Sequence, residues 1–360
     1  MSLFSLSPKE SPKELFGREK EIEELSRLLK ARRWVALLGP RMVGKTSLIK
    51  ATNVKLEKNG TKTIYINLWG VKSTQGLLSA LTESLNNQKS FLQKIKSTAG
   101  NIDGLSFGPA GISLSVIKKP MTTTRDLLAS IGRQTDECVI ELDEVQELYA
   151  ISGQLLKILA NIFNTYRNLT FVFTGSMFGL TRTLLEPEST SPLYGRSPAK
   201  MNLQPFNAET SREFLTKGLR ECNGPVHKKE IDEAIEILDG IPGWLTLYGN
   251  NLVVRKLPHQ DALQETVTEA GKIVTDELEH FLMRRDRALY IAVLKAAANS
   301  ARWSEIKTAT MTAKGSVVND STVRNTIENL KAAMFVTELD KVYRIVDPML
   351  RKLLRESAIT

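Results

Sequence analysis

The sequence predicts an α/β protein: a parallel sheet covered by helices on both faces, then a helical unit, then a unit of three helices and a two-stranded wing. Three observations predict it. Short apolar runs alternate with amphipathic helical periods over residues 16–205, the pattern of a doubly covered parallel sheet. The run Trp34-Val-Ala-Leu-Leu-Gly-Pro-Arg-Met-Val-Gly-Lys-Thr-Ser47 reads as a buried strand, a G-x-x-x-x-G-K-T loop and a helix beginning near Lys45. From Asn207 onward the apolar spacing turns helical, until two short strands close the pattern.

The bulk properties narrow the function class. A chain of 360 residues can bury a core in each of roughly two or three domains. Its 42% hydrophobic and 25% charged residues are those of an ordinary globular protein. No apolar run reaches bilayer length, and the first residues, MSLFSLSPKESPKE, hold no signal-peptide core, so no membrane partner and a cytoplasmic location are expected. Cys138 and Cys222 lie far apart without metal-ligand spacing, and Cys138 opens an apolar strand, which suits a buried reduced thiol. The net charge of +9 is spread thinly with no dense basic tract, so charge alone names no nucleic-acid partner.

The elements follow in order. Residues 1–15 are a Pro/Ser/Lys-rich leader, ordered only if docked on something. Arg18 to Arg32 is a periodic helix with Ile22, Leu25, Leu28 and Leu29 on one face. After the loop and its helix, Thr63 to Leu68 alternates as a strand and Thr74 to Leu85 is helical. Gly104 to Val116 resembles two short strands turning at Gly108-Pro109-Ala110-Gly111, a hairpin insertion within about residues 100–120. Thr122 to Gly132 is a helix, Cys138 to Leu142 a strand, Gly153 to Arg167 a helix, and Thr170 to Thr174 and Met201 to Leu203 are strands. The expected units are a leader (1–15), an α/β core (16–206), a helical lid with a connector (207–275) and a terminal unit (276–360).

The loop after the first strand explains itself by what it must hold. A nucleoside triphosphate concentrates negative charge and needs many donors close together. Gly39 and Gly44 permit torsions and approaches that a Cβ would block. The N–H groups of Pro40-Arg41-Met42-Val43-Gly44 and of the following helix start, proline excepted, can then turn on the phosphates at the positive end of a helix dipole. Lys45 would reach the β- and γ-phosphates, the Thr46 hydroxyl would ligate Mg²⁺, and Ser47 completes the turn. ATP or ADP with Mg²⁺ is the expected cofactor. A Gly-rich turn with a solvated lysine is the bland alternative, and the flanking strand and helix argue against it.

A hydrolytic site needs a second acidic element. Asp143, ending the Cys138-Val-Ile-Glu-Leu-Asp143 run, is expected at the Mg²⁺ hydration shell, and Glu144 beside the attacking water. Glu141 lies inside the strand, where a neighbouring Lys or Arg is its expected partner. Thr174-Gly175-Ser176 puts hydroxyls, Ser176 among them, beside the expected γ-phosphate.

Phe16-Gly17-Arg18-Glu19, the phosphate loop, Leu142-Asp-Glu-Val-Gln146, Phe173-Thr-Gly-Ser176, Pro192-Leu-Tyr-Gly-Arg196 and Leu203-Gln-Pro-Phe206 occur in this order. As a set they resemble the archaeal ATPase family within the signal-transduction ATPases with numerous domains, relatives of the AAA+ enzymes. The resemblance covers residues 15–250 strongly and the remainder weakly. It implies a phosphate-loop ATPase core, with Leu15, Phe16 and Arg18 on the adenine side of the pocket. It implies that Arg196 lies near the phosphates as a catalytic arginine, on its own chain or on a neighbour. Gly240-Ile241-Pro242 resembles the Gly-x-Pro motif by which Pro242 would pack on the nucleotide from the lid. The lid shows no obvious arginine of the AAA+ kind, which favours a switch over a processive motor.

The terminal unit reads as helix (Ala288 to Ala298), short helix (Trp303 to Ile306), helix (Ser321 to Leu330) and a hairpin turning at Asp340-Lys341. This is a winged-helix arrangement and resembles the domain often found at this position in the family. Its third helix offers Asn319, Ser321, Thr322, Arg324 and Asn325 to a partner, with Lys331, Lys341 and Arg344 nearby, a sparse basic face for DNA. The chain is thus expected to be an ATP-hydrolysing regulatory switch, slow in turnover, with an adenine nucleotide as ligand and a protein partner or self-association beyond it. An initiator-like ATPase binding duplex DNA through the winged helix is the alternative, and a small-molecule phosphotransferase a weaker third.

Overall fold

Three central strands without a polar face set the architecture. The computed structural model describes residues 3–99, 102–109, 111–115, 117–175, 180–283, 285–356 and 359. The first unit runs α1 (Glu19–Lys30), β1 (Val35–Leu38), α2 (Lys45–Lys58), β2 (Lys62–Asn67), α3 (Thr74–Asn86), α4 (Lys89–Ala99), β3 (Leu105–Gly108), β4 (Gly111–Leu114), α5 (Pro120–Gln134) and β5 (Cys138–Asp143). A 3₁₀ segment (Val145–Ile151) leads into α6 (Ser152–Thr165), β6 (Leu169–Gly175), α7 (Leu180–Leu185) and β7 (Ala199–Asn202). The five long-range strands pair in the order β2-β5-β6-β1-β7, all parallel.

Every residue of β1, β5 and β6 is buried, as a strand covered on both faces demands, whereas β2 and β7 at the edges keep exposed positions. Parallel pairing brings the carboxyl ends of β1, β6 and β5 side by side, with Leu38 opposite Gly175 and Leu142 opposite Phe173. The phosphate loop, Asp143-Glu144 and Thr174-Gly175 therefore meet at one edge. Two cores cover the sheet. One holds Leu37, Leu48 and Ile49 with Ile22 and Leu25 of α1, and the other Ile64, Leu78, Leu127, Ile140, Leu159 and Phe173. The hairpin β3–β4 docks on α3 through Asn86, whose amide bonds Ile112 N–H (2.7 Å) and its carbonyl (2.9 Å).

The rest is helical apart from the wing: α8 (Ala208–Glu221), α9 (Lys228–Leu238), α10 (Pro242–Val253), α11 (His259–Leu282), α12 (Arg287–Ala298), β8 (Ala301–Arg302), α13 (Trp303–Lys314), α14 (Asp320–Ala332), β9 (Val336–Leu339), β10 (Val342–Ile345) and α15 (Pro348–Arg355). The wing turns at Asp340 and Lys341, both at positive φ (52° and 63°), a two-residue connection matched to strand twist.

Several elements differ from expectation, among them α7, β8 and the 3₁₀ segment, none of them expected from the sequence. Helix α11 runs unbroken through residues 275 and 276, where a boundary was expected. Helix α13 extends to Lys314 rather than ending at Ile306, while α4 and α15 had not been expected at all. One apolar core, from Phe214, Leu245 and Tyr248 through Leu278 to Leu294, Ile327 and Leu350, joins lid and winged helix. Asp347 strengthens that union: it caps α15 by accepting from Met349 N–H (2.8 Å) and Leu350 N–H (3.1 Å), and it accepts from the buried Trp244 indole of α10 (3.3 Å). The leader is docked: Leu3 and Phe4 are buried in the lid part of this core.

Candidate nucleotide site

The phosphate loop leaves β1 and enters α2 through Gly44, whose φ of 100° belongs to the left-handed half of the map that a side chain resists. Met42 also takes a positive φ (60°), which turns the loop back over the helix start. Lys45 is buried and its ammonium donates to the carbonyls of Gly39 (2.9 Å) and Pro40 (3.0 Å). Arg18 holds the loop from behind. Its guanidinium donates to Val43 O (3.4 Å) and Gln204 O (2.7 Å), pairs with Glu21 (2.9 Å) and lies over the Phe206 ring. Burial lowers the Arg18 pKa, and Glu21 opposes that shift. Arg18 thus ties the loop to the exit of β7.

Asp143 ends β5 with both carboxylate oxygens engaged. Thr46 donates to Oδ2 (2.7 Å), Tyr65 of β2 donates to the same oxygen, and Thr174 of β6 donates to Oδ1. Burial and the Asp143 charge drive the Tyr65 phenol pKa upward, keeping it a donor. A hydroxyl and a carboxylate in contact are the hard oxygen set that suits Mg²⁺, an ion that takes few protein ligands and keeps water. Among the described residues no cluster of three or more His, Cys, Asp or Glu offers another metal site. Glu144 follows in a left-handed conformation (φ 61°); its N–H donates to Thr174 Oγ1 (3.1 Å), and its carboxylate accepts from the Gln146 amide.

Leu15, Phe16, Arg18, Arg41, Met42, Val43, Gly44, Lys45, Thr46, Ser47, Glu144 and Pro242 line one cavity of about 310 Å³, together with Phe206 and Phe214. Phe16 packs against both of those rings. From the lid, Gly243 N–H donates to Met42 O (2.9 Å), so the turn holding Pro242 rests directly on the loop. Gly39 and Pro40 line a neighbouring cavity of about 330 Å³ with Arg41, Lys45, Glu144, Glu277 of α11 and Asp347. Burial raises the Glu277 pKa, and the nearby Arg41 and Lys45 charges pull it back.

One expectation is corrected, one is not met within a single chain, and one lies out of reach. Among the described residues Glu141 pairs with no cation: its carboxylate accepts from Asn53 of α2 (2.8 Å), and burial pushes its pKa up to about 8. Arg196 stands just before β7, whose first residue Ala199 pairs with Val35 at the amino end of β1, opposite the edge that carries the phosphate loop. Its guanidinium lies over Phe163, which packs on Trp34, and donates to Pro192 O (3.4 Å). Within one chain it does not approach the phosphate-loop edge. Ser176 lies outside the described residues. Sequence reasoning missed Tyr65, Gln146, Glu277, Asp347 and the segment Ser5–Lys9. For Tyr65 a signal existed, since strand alternation puts it on the face that carries Glu141 and Asp143, opposite Glu141 and within reach of Asp143; for Glu277 none did.

Comparison with known proteins bears on the family and the fold. Residues 15–247 match the family of ATPase domains predominantly from Archaea, and residues 283–346 match the C-terminal winged helix-turn-helix domain of MCM proteins. The chain is similar to the Walker-type ATPase of Pyrococcus abyssi, at 31% identity over 98% of this chain and 99% of that one, with a TM-score of 0.78. It shares its fold with the ORC2 protein of Aeropyrum pernix (15% identity, 98% and 95% covered, TM-score 0.64). The same holds for the ORC1 protein of that organism, solved in complex with DNA (16% identity, 99% and 97% covered, TM-score 0.53). No curated protein matches the chain. No helix among the described residues is long and apolar enough to cross a membrane. With a glycine-framed loop, a hydroxyl–carboxylate pair and a glutamate at one sheet edge, and with a winged helix behind them, this chain is an ATPase and belongs to the family of ATPase domains found predominantly in Archaea.

Proposed function

We propose that the protein is an ATP-dependent switch of the signal-transduction class, in which bound nucleotide sets the position of the lid and winged helix against the sheet. The observation that carries this reading is the shared cavity in which Glu277 and Asp347, from α11 and the winged helix, meet Arg41 and Lys45 of the phosphate loop. The loop is touched from the other side by the lid, through Gly243 N–H and Met42 O. Charge arriving beside Lys45 therefore acts on two elements outside the sheet at once. In this reading Thr46 and Asp143 hold Mg²⁺, which supplies charge neutralisation at the phosphates when bound. Lys45 leaves its carbonyl partners for the phosphates, Glu144 orients the attacking water, and Leu15, Phe16 and Pro242 enclose the base. Arg196 has no part in its own chain's site.

Nucleotide shifts such an equilibrium only by binding the two arrangements unequally. Small-angle scattering of the full chain with ADP and with a non-hydrolysable ATP analogue tests it: different radii are expected, and superposable profiles overturn the switch.

A second reading has its own observation. Ser321, Thr322, Arg324 and Asn325 of α14 are exposed, so the helix that winged-helix domains place in the major groove is uncovered. The similarity of fold to the DNA-bound ORC1 protein favours duplex DNA as its partner. Lys331, however, is paired with Glu328 and Glu338, and Lys307 with Asp320, which thins the cationic face. Binding to a fluorescent duplex should therefore be weak, and it should weaken further with added salt but with a shallow slope, because few cations meet phosphates; salt-insensitive binding, or none at low salt, counts against it.

A further inference from the structure

We infer that Leu3–Lys9 is a strap that retains the nucleotide: a segment fixed to the lid at one end and to α2 at the other, forming a wall of the nucleotide cavity between them. The inference rests on reading that cavity as the nucleotide site.

The lid anchor is Phe4. Its ring is fully buried, edge-on to Phe214 (centroids 5.8 Å apart), in a slot between α8 and α10. Glycines make the slot: a Cβ at Gly218 of α8 or at Gly249 of α10 would come within 2.3 Å of the ring. Asn250 adds a hydrogen bond from its amide to Phe4 O (2.9 Å). Two glycines on separate helices, opposed across one aromatic ring, form a fitted socket.

The second anchor is on α2. Lys9 N–H donates to Ser47 Oγ (3.1 Å), the residue after the metal-side threonine, and Glu10 pairs with Lys50 (2.8 Å). The Lys9 ammonium folds back onto Ser5 O (3.0 Å), which draws the intervening residues into a closed loop. Ser5 to Lys9 line the same cavity as Phe16, Gly44 and Thr46.

The lid and the sheet domain are thus laced together across the cavity by seven residues that belong to neither of the recognised motif sets. A ligand clasped by lid and phosphate loop leaves when they part, and the strap opposes that parting. The ligand class is the adenine nucleoside di- or triphosphate of the main site.

The test is release of mant-ADP from the full chain, chased with excess ADP. Interface changes act mostly on dissociation, so Phe4→Ala should speed release by about tenfold or more. Phe4→Ala also opens a hole in the lid core, so a second variant, Leu6→Gly with Pro8→Gly, loosens the exposed middle of the strap and leaves the socket filled. It should speed release by roughly threefold, from the restored chain entropy of two glycines. Amide exchange over residues 3–10 of the parent should slow when ADP is bound. Parent-like release from the double-glycine variant, or exchange over residues 3–10 indifferent to ADP, overturns the strap while the site stands. A parent chain that binds no mant-ADP overturns the site itself and the strap with it.

Discussion

Lys45 and Glu144 line the same cavities at the phosphate loop, and single substitutions separate the tasks proposed for them. The Lys45 ammonium is held by two main-chain carbonyls and has no carboxylate to release before it meets a phosphate. Lys45→Ala should abolish nucleotide binding, read by calorimetry with ADP and ATP; a parent-like heat would remove Lys45 from the site. Glu144 keeps its N–H on Thr174 and its carboxylate on Gln146, so Gln at 144 should leave binding intact. Hydrolysis should fall by about 10²–10⁴-fold, the usual worth of a positioned base, and turnover at the parent rate reassigns the base. Both residues stand out in the sequence as parts of a glycine-framed loop and an acidic strand end, and the structure brings both to one cavity. The surroundings of Arg196 and Glu141 were not legible. Each had a plausible local motif, but its surroundings come from chain more than 30 residues away: Trp34 and Phe163 for one, Asn53 for the other.

Elements followed the same division. Strands β1, β5 and β6 were legible as apolar runs because a strand buried on both faces needs nothing else, and the parallel order followed from the helices between them. The ends of α13 and the existence of α15 were not. Helix α15 is short, and its apolar face, Met349, Leu350 and Leu354, is satisfied only by the lid and winged-helix core. Its start is set by Asp347, which makes that residue a test of the element. Asp347→Ala removes a helix cap worth about 1 kcal/mol. It also strands the buried Trp244 N–H, a loss of about 1–3 kcal/mol. The sum expected in urea unfolding is about 2–4 kcal/mol, with Asp347→Asn, which preserves the cap, costing less. A loss within error for Asp347→Ala would mean that the α10–α15 contact does not hold lid and winged helix together.

At the scale of the whole molecule, α11 carries the lid core and a carboxylate that meets the phosphate loop from outside the sheet. Glu277 sits half-buried in the 330 Å³ cavity, under the influence of Arg41 and Lys45. In a switch, this carboxylate stabilises the arrangement in which no further negative charge stands beside Lys45, and it opposes a γ-phosphate there. Charges several ångströms apart near a protein surface interact by roughly 1–4 kcal/mol before water and counterions weaken them. Glu277→Gln keeps the shape and the hydrogen-bonding reach while removing the charge. It should therefore tighten binding of a non-hydrolysable ATP analogue relative to ADP by about three- to tenfold, corresponding to roughly 0.7–1.4 kcal/mol. The ratio of the two affinities, measured in one titration series, is the quantity that matters, because general damage to the loop lowers both together. Scattering should move in step: the ADP profile of Glu277→Gln should shift toward the triphosphate profile of the parent, since the brake on that arrangement has gone. An unchanged affinity ratio with an unchanged ADP profile would leave Glu277 a bystander and deprive the switch of its charge sensor on α11.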